Sequence, residues 1–413
     1  EYPLRRARIS AGYGTLDCFR SMGTVDLFNF TGHGRRLEIR ARAAQLGVGD
    51  PTDFGFERGV CPMLAQEDTS RLKLNYNLAA TFHEPLLAWE RTTAMATIYA
   101  ERHTEFGAYL REAVGGEIAL TYQMAPETPL RLSYSIAYGR TIATPATFCA
   151  LLDVCLLEDQ RIFRDKLRRS VLALAIARDR TNSIVDPTRG SAVVGELRWS
   201  PRALGSDRFM RFARLSAGFK AHHPLGANGA TAGRVFSWRL AAGVIFAPTE
   251  QLAGGPRVYA PPEERLYAGG STTVRGFSEN QLGPVVHVLQ SDSTIRSSAT
   301  GGTLMGLANA EVRVPFRLFG LRLFGALFVD AGVVGERASA TLDDWRVTPG
   351  VGLRMASMLG PIRLDVGYNP HPPRAGPLYQ LVGTELRLVQ DDFRPALDFW
   401  DRLRLHLSIG QAF

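Results

Sequence analysis

Apolar and polar residues alternate along this chain with a period of two, segment after segment, from one end to the other. Residues 7–13 set Ala7, Ile9, Ala11 and Tyr13 against Arg8, Ser10 and Gly12. Residues 71–78 set Leu72, Leu74, Tyr76 and Leu78 against Arg71, Lys73, Asn75 and Asn77. Residues 130–138 and 362–368 repeat the pattern, and the final segment places Leu403, Leu405, Leu407, Ile409 and Phe413 opposite Arg402, Arg404, His406, Ser408 and Gly410. A side-chain period of two is the mark of a strand. These runs approach the ~9–11 residues of a tilted membrane-spanning strand, where soluble strands usually have ~5–6. Their polar face carries Arg, Lys and Glu, which a packed sandwich core would not tolerate and a watery lumen would.

The connections support the same reading. Short turns are expected near 31–34, 125–128, 182–190 and 359–361, and longer connections near 47–68, 142–163, 249–303 and 390–401. Short turns at one end and long loops at the other are the asymmetry of outer-membrane barrels, and about sixteen strands give the even number that closure favours. The fold class is therefore all-β: one transmembrane antiparallel barrel over residues 1–413.

Composition alone points elsewhere. A chain that is 45% hydrophobic and 21% charged, with mean hydropathy −0.06, resembles a soluble protein. No stretch approaches the ~18 apolar residues of a membrane helix; the best run, 171–177, lies between Arg169 and Arg178. In a barrel the two faces cancel in any hydropathy average. The net charge of +8 is carried almost entirely by arginines scattered along strands. That fits a wet lumen and anionic head groups better than nucleic acid.

Signals of enzyme chemistry are poor. The chain has no GxSxG, HExxH or P-loop, and Gly350 and Gly352 lie in a strand that precedes no helix. His222 and His223 read as surface histidines, and no metal or other cofactor is expected. Four cysteines, Cys18, Cys61, Cys149 and Cys155, form no CxxC pair and admit three complete pairings.

Six motifs, in order along the chain, resemble the BamA/TamA family of outer-membrane protein assembly factors, in the bacterial surface antigen superfamily. They are Asp186-Pro-Thr-Arg-Gly190, Val274-Arg275-Gly276-Phe277, Ala310-Glu311-Val-Arg-Val-Pro315, Phe328-Val-Asp330-Ala-Gly332, Gly360-Pro-Ile-Arg-Leu-Asp-Val-Gly367 and the terminal Ile409-Gly410-Gln-Ala-Phe413. The resemblance implies that the long sixth extracellular loop, 249–303, folds into the lumen. It also implies that Arg275 at the loop's tip pairs with Asp330 and Glu311. Alternation agrees, since Asp330 falls opposite Leu327 and Val329, and Glu311 opposite Val312 and Val314.

Further expectations follow from the resemblance. The first and last strands would form a lateral gate at Ile9, Gly12, Gly14, Leu407, Ile409 and Gly410, and Ile409, Gly410 and Phe413 would form a C-terminal assembly signal. The function implied is insertion of barrel proteins into the outer membrane. The rivals are a pore secreting a dedicated partner and a purely structural barrel. The partners implied are outer-membrane lipids, unfolded β-barrel clients, and periplasmic or lipoprotein accessory subunits, with periplasmic domains expected ahead of Glu1. In the oxidising envelope Cys149 and Cys155 of one outer loop are expected to pair, and so are Cys18 and Cys61 near the first two outer loops.

Overall fold

The computed structural model describes residues 4–15, 17–61, 64, 72–85, 91–183, 186–226, 233–318, 321–339, 341–357 and 360–409. Eleven strands come first: β1 (Arg5–Gly14), β2 (Cys18–Phe28), β3 (Arg36–Leu46), β4 (Asn75–Glu84), β5 (Thr92–Glu105), β6 (Tyr109–Ala125), β7 (Thr128–Ala143), β8 (Leu167–Asp179), β9 (Gly190–Ser200), β10 (Phe212–Pro224) and β11 (Val235–Phe246). The next connection contains β12 (Thr249–Leu252), β13 (Gly255–Val258), β14 (Val285–Leu289) and β15 (Ile295–Ala299). Then come β16 (Leu304–Leu318), β17 (Leu321–Gly335), β18 (Arg346–Ser357) and β19 (Gly360–Tyr368). A last connection holds β20 (Gly376–Val382) and β21 (Glu385–Phe393) before β22 (Leu403–Ile409).

Sixteen of these strands, β1–β11, β16–β19 and β22, close into one antiparallel barrel, as the alternation predicts. Closure leaves no row of backbone donors and acceptors facing hydrocarbon, which is why strands cross membranes only in this form. No helix among the described residues is long and apolar enough to cross a membrane. The outer face carries the apolar set: Ile98 is 70% exposed, Ile118 64% and Leu327 65%. The opposite face buries charged and polar residues, including Arg102, Arg111, Asp330, Asp365 and His406.

At the end with the long connections, the loops pack into a dome. Helices α1 (Pro145–Leu152) and α2 (Arg161–Arg164) lie between β7 and β8. Phe148 stacks on Phe163, which stacks in turn on Tyr259 of the connection after β11, with Phe209 edge-on to Tyr259. Strands β14 and β15 join β20 and β21 in a separate four-stranded sheet in which β14 and β20 run parallel. Four connections distant in sequence, β7–β8, β9–β10, β11–β16 and β19–β22, are thereby locked together. Cys18 bonds Cys61, tying the start of β2 to the β3–β4 connection, and Cys149 within α1 bonds Cys155 just past its end.

Three boundaries depart from the sequence reading. The segment expected at 71–78 is a strand only from Asn75, and runs on to Glu84. Leu72 packs against the Cys18–Cys61 cluster, and the backbone at Lys73 forms an isolated parallel bridge with that at Asp50. The alternation persists there because the chain stays extended outside the wall. The connection expected at 390–401 begins inside β21, whose polar Gln390 pairs with Leu378 of β20. The connection expected at 142–163 begins inside β7 and contains the two helices. Gly410 and Phe413 of the expected C-terminal signal lie outside the described residues.

Both disulfides can be checked directly. Denatured, unreduced protein should take up no thiol reagent, and reduction should release four reactive cysteines; labelling before reduction would contradict the pairing.

Candidate functional site

The connection from β11 to β16 turns back at its tip, and the tip meets the polar face of the wall. Strands β16 and β17 pair so that Asn309 stands opposite Asp330 and Glu311 opposite Phe328. Alternation puts Asn309, Glu311, Phe328 and Asp330 on the face away from the exposed Leu327 and Val329. Arg275 lies against them. Its Nε donates to Asp330 Oδ2 at 2.8 Å, its Nη2 to Asp330 Oδ1 at 2.9 Å, and its backbone N to Oδ2 at 3.0 Å. Its Nη1 donates to Glu311 Oε2 at 2.6 Å. The Arg–Asp pair is bidentate, a geometry a guanidinium can make and an ammonium cannot.

The surroundings complete the cradle. The Arg275 guanidinium carbon sits 3.4 Å from the centre of the Phe328 ring, a cation–π contact. Asn309 Nδ2 donates to Asp330 Oδ1 at 2.9 Å and to the Thr273 carbonyl at 2.6 Å. Arg354 bridges Glu311 and Asp365, at 3.3 and 2.6 Å. On the last strand, His406 Nε2 lies 2.9 Å from the Arg275 carbonyl, which can only accept, so that nitrogen carries the proton. Space for this comes from glycines on the wall. A Cβ at Gly350 would fall 2.2 Å from the Phe328 ring, and one at Gly367 would fall 2.4 Å from the Arg275 carbonyl oxygen.

Apolar neighbours of Arg275 hold the tip as well. Val274, Phe277 and Leu282 pack with Leu307 of β16 and Val334 of β17, while Gly276 lies against Thr348. Glu279 lines a cavity of about 270 Å³ with Glu105 and Asn280. Burial pushes its carboxyl up to about 8, and the charges of Glu105 and Asp17 add to the effect.

At the seam, β1 pairs along its whole length with β2, from Arg5 opposite Leu27 to Gly14 opposite Cys18. With β22 the ladder is short among the described residues: Tyr13 faces Ile409 and Gly14 faces Ser408. One further bond runs from Thr15 N to the Leu407 carbonyl at 3.3 Å. On its other side β22 pairs with β19 from Leu403 to Ile409. Ile9 is 88% exposed, and Gly12 stands opposite Arg20 on β2.

The structure thus brings Val274, Arg275, Gly276, Phe277, Glu311 and Asp330 together, and places Ile9, Gly12, Gly14, Leu407 and Ile409 on the two strands of the seam. Sequence reading did not assign Asn309, Arg354, Asp365 or His406 to this site. Their inward phase was the available signal, but phase alone does not say which of many inward residues meet.

A closed sixteen-stranded barrel with an apolar outer band and a charged inner face is a transmembrane protein of the bacterial outer membrane. The chain belongs to the Omp85 superfamily, whose domain matches residues 29–413, in line with the resemblance carried by the six motifs. In fold it is similar to BamA from Haemophilus ducreyi lacking POTRA domains 1–3, at 15% identity and a TM-score of 0.67, covering 99% of this chain and 70% of that one. It is also similar to CdiB from Acinetobacter baumannii (13% identity, TM-score 0.50, 98% and 59% covered) and CdiB from Escherichia coli (13%, 0.50, 99% and 62%).

Two predictions follow from the geometry. Breaking a buried ion pair from one side typically costs about 3–5 kcal/mol. Arg275→Ala should therefore raise the reactivity of a reporter thiol at Val274→Cys by on the order of a hundredfold or more in vesicle-embedded protein, and Arg275→Lys should recover only part of the protection. Unchanged reactivity in both would contradict the clamp. The second concerns Glu279. Its carboxyl is raised in the folded protein, so its contribution to holding the loop is present below about 4.5 and lost as pH rises toward about 8. Relative to Glu279→Gln, labelling of the same reporter should accelerate across that window; a rate ratio independent of pH would contradict it.

Proposed function

We propose that this barrel inserts and assembles other β-barrel proteins in the outer membrane, by opening sideways between β1 and β22. The observation that carries this reading is that, among the described residues, the β1–β22 ladder joins only Tyr13 and Gly14 to Ile409 and Ser408. Each ladder hydrogen bond contributes only ~0.5–1.5 kcal/mol net, so a short ladder parts at modest cost. An opened seam presents the backbone edge of β1 from Arg5 onward, and an exposed edge templates an incoming strand by β-augmentation. Ile9, Gly12 and Gly14 on one side and Leu407, Ile409 and Gly410 on the other would form the gate. The loop 249–303 would act as a lid folded into the lumen, fastened by Arg275 to Asp330 and Glu311. The proposed partners are unfolded barrel clients, lipids, and periplasmic or lipoprotein accessory subunits that deliver clients. Templating forms and breaks no covalent bond.

A second reading, a pore exporting a dedicated partner protein through the lumen, draws on the charged inner face. It requires more to move: the lid must leave the wall, and the dome in which Phe148, Phe163 and Tyr259 are packed must part. The two readings separate in one experiment. Gly14→Cys and Ser408→Cys replace residues that face each other across the seam. Oxidising that pair in vesicle-embedded protein should slow client insertion at least tenfold, and reduction should restore it. Insertion at the same rate in the locked protein would remove lateral opening as the mechanism.

A further inference from the structure

The loop is fastened to the wall at a second place, on β6–β10 rather than on β16 and β17. Pro262–Glu264 forms a single 3-10 turn early in the loop. It is preceded by Pro261, and the two prolines fix the backbone there. The side chains of Glu263 and Glu264 are almost fully buried, and arginines from four strands converge on them. Arg111 of β6 reaches Glu263 Oε1 at 2.7 Å. Arg169 of β8 reaches Glu264 Oε1 at 2.5 Å, and Arg198 of β9 reaches Oε2 at 2.8 Å. Arg214 of β10 lies 3.8 Å from the same Oε2 and donates to the Glu264 carbonyl at 3.4 Å. The next residues are tied down as well. Arg265 donates to the carbonyls of Thr300 and Gly301 and pairs with Glu336, and Leu266 exchanges backbone bonds with Gly302.

Beyond this point the chain forms a separate tongue. Leu282 N bonds the Ala268 carbonyl at 3.0 Å and closes its stem, and Arg275 lies at the tip. The first residues inside the stem are Gly269 and Gly270, with φ of +118° and +92°. That backbone is open to glycine and strained for other residues. A Cβ at Gly270 would also meet the Glu279 carboxylate at 1.7 Å. One loop thus carries two ionic clasps of opposite polarity with a glycine pair between them.

The clasps differ in their relation to the seam. His406 of β22 touches the Arg275 carbonyl, so displacement of β22 disturbs the tongue directly. The arginines that grip Glu263 and Glu264 sit on β6, β8, β9 and β10, away from β1 and β22 in the wall. Opening the seam would strain one clasp and leave the other untouched.

We propose that Glu263 and Glu264 are positioning residues that tether the loop to the β6–β10 wall while the tongue 269–282 swings about Gly269 and Gly270. When Arg275 lets go, the lid moves aside as a hinged flap and the lumen stays obstructed. The barrel then opens toward the bilayer without becoming a hole in the outer membrane. Only the trigger of this movement rests on the lateral-opening reading; the tether does not.

The test uses the purified full chain in planar bilayers, with Val274→Cys labelling run in parallel. Arg275→Ala should raise labelling while increasing mean ion conductance less than twofold. Adding Glu263→Gln and Glu264→Gln to it should raise conductance at least fivefold over Arg275→Ala alone. Equal conductance of the two proteins, whether both low or both high, overturns the tether. If the triple variant does not fold, Arg198→Gln combined with Arg275→Ala takes its place, with a smaller rise expected and no rise counting against the tether. Neither measurement involves a client or needs the seam to part. A locked seam that still supports insertion would therefore reject the gate and leave the tether standing.

Discussion

In hydrocarbon every backbone donor and acceptor must find its partner within the wall, and this chain satisfies that demand with a ladder that returns to its own first strand. The demand fixes the period of the side chains, because a strand in such a wall has one face in lipid and one in the lumen. Apolar residues such as Ile98, Ile118 and Leu327 fill the first, and charged residues fill the second. The lumen then holds a surplus of arginine, and buried charges of one sign call for carboxylates. Glu263 and Glu264 answer that need from the loop, while on β16 and β17 the wall's Glu311 and Asp330 are answered by the loop's Arg275. The loop is held by exchange of charge in both directions.

The same demand makes the seam the place to look for movement. Elsewhere strands pair along most of their length, as β6 does with β7 from Tyr109 opposite Ala143 to Ala125 opposite Thr128. At the seam the described ladder joins only the end of β1 to the end of β22. Under the proposed lateral opening, a wall paired at length elsewhere would part first at that joint. The contact of His406 with the Arg275 carbonyl places the joint one side chain from the tip of the loop.

Much of this was legible in the sequence. Period-two alternation yields the strands and the even count, and the inward phase of Glu311 and Asp330 follows from the same pattern. What alternation does not encode is pairing between distant segments. The sheet of β14, β15, β20 and β21 joins two connections through a parallel pair, and β21 exposes most of its side chains, so Gln390 and Asp391 look like loop. Helix α1, Pro-Ala-Thr-Phe-Cys-Ala-Leu-Leu, is apolar nearly all round because the dome buries it, and so shows no amphipathic period. Glu263 and Glu264 follow two prolines and read as a solvated turn. Only the fold shows four arginines waiting for them. Lys73 illustrates the converse, a residue that keeps the alternating pattern after the chain has left the wall.

The wall is closed throughout, and the proposed opening requires it to be weak at the β1–β22 joint. Amide hydrogen exchange of the protein in lipid vesicles, followed strand by strand, tests it most directly. Amides of β1 and β22 should exchange at least tenfold faster than those of β6, β7, β16 and β17, which lie inside long ladders. Uniform protection around the whole barrel, with β1 as slow as β7, would contradict it.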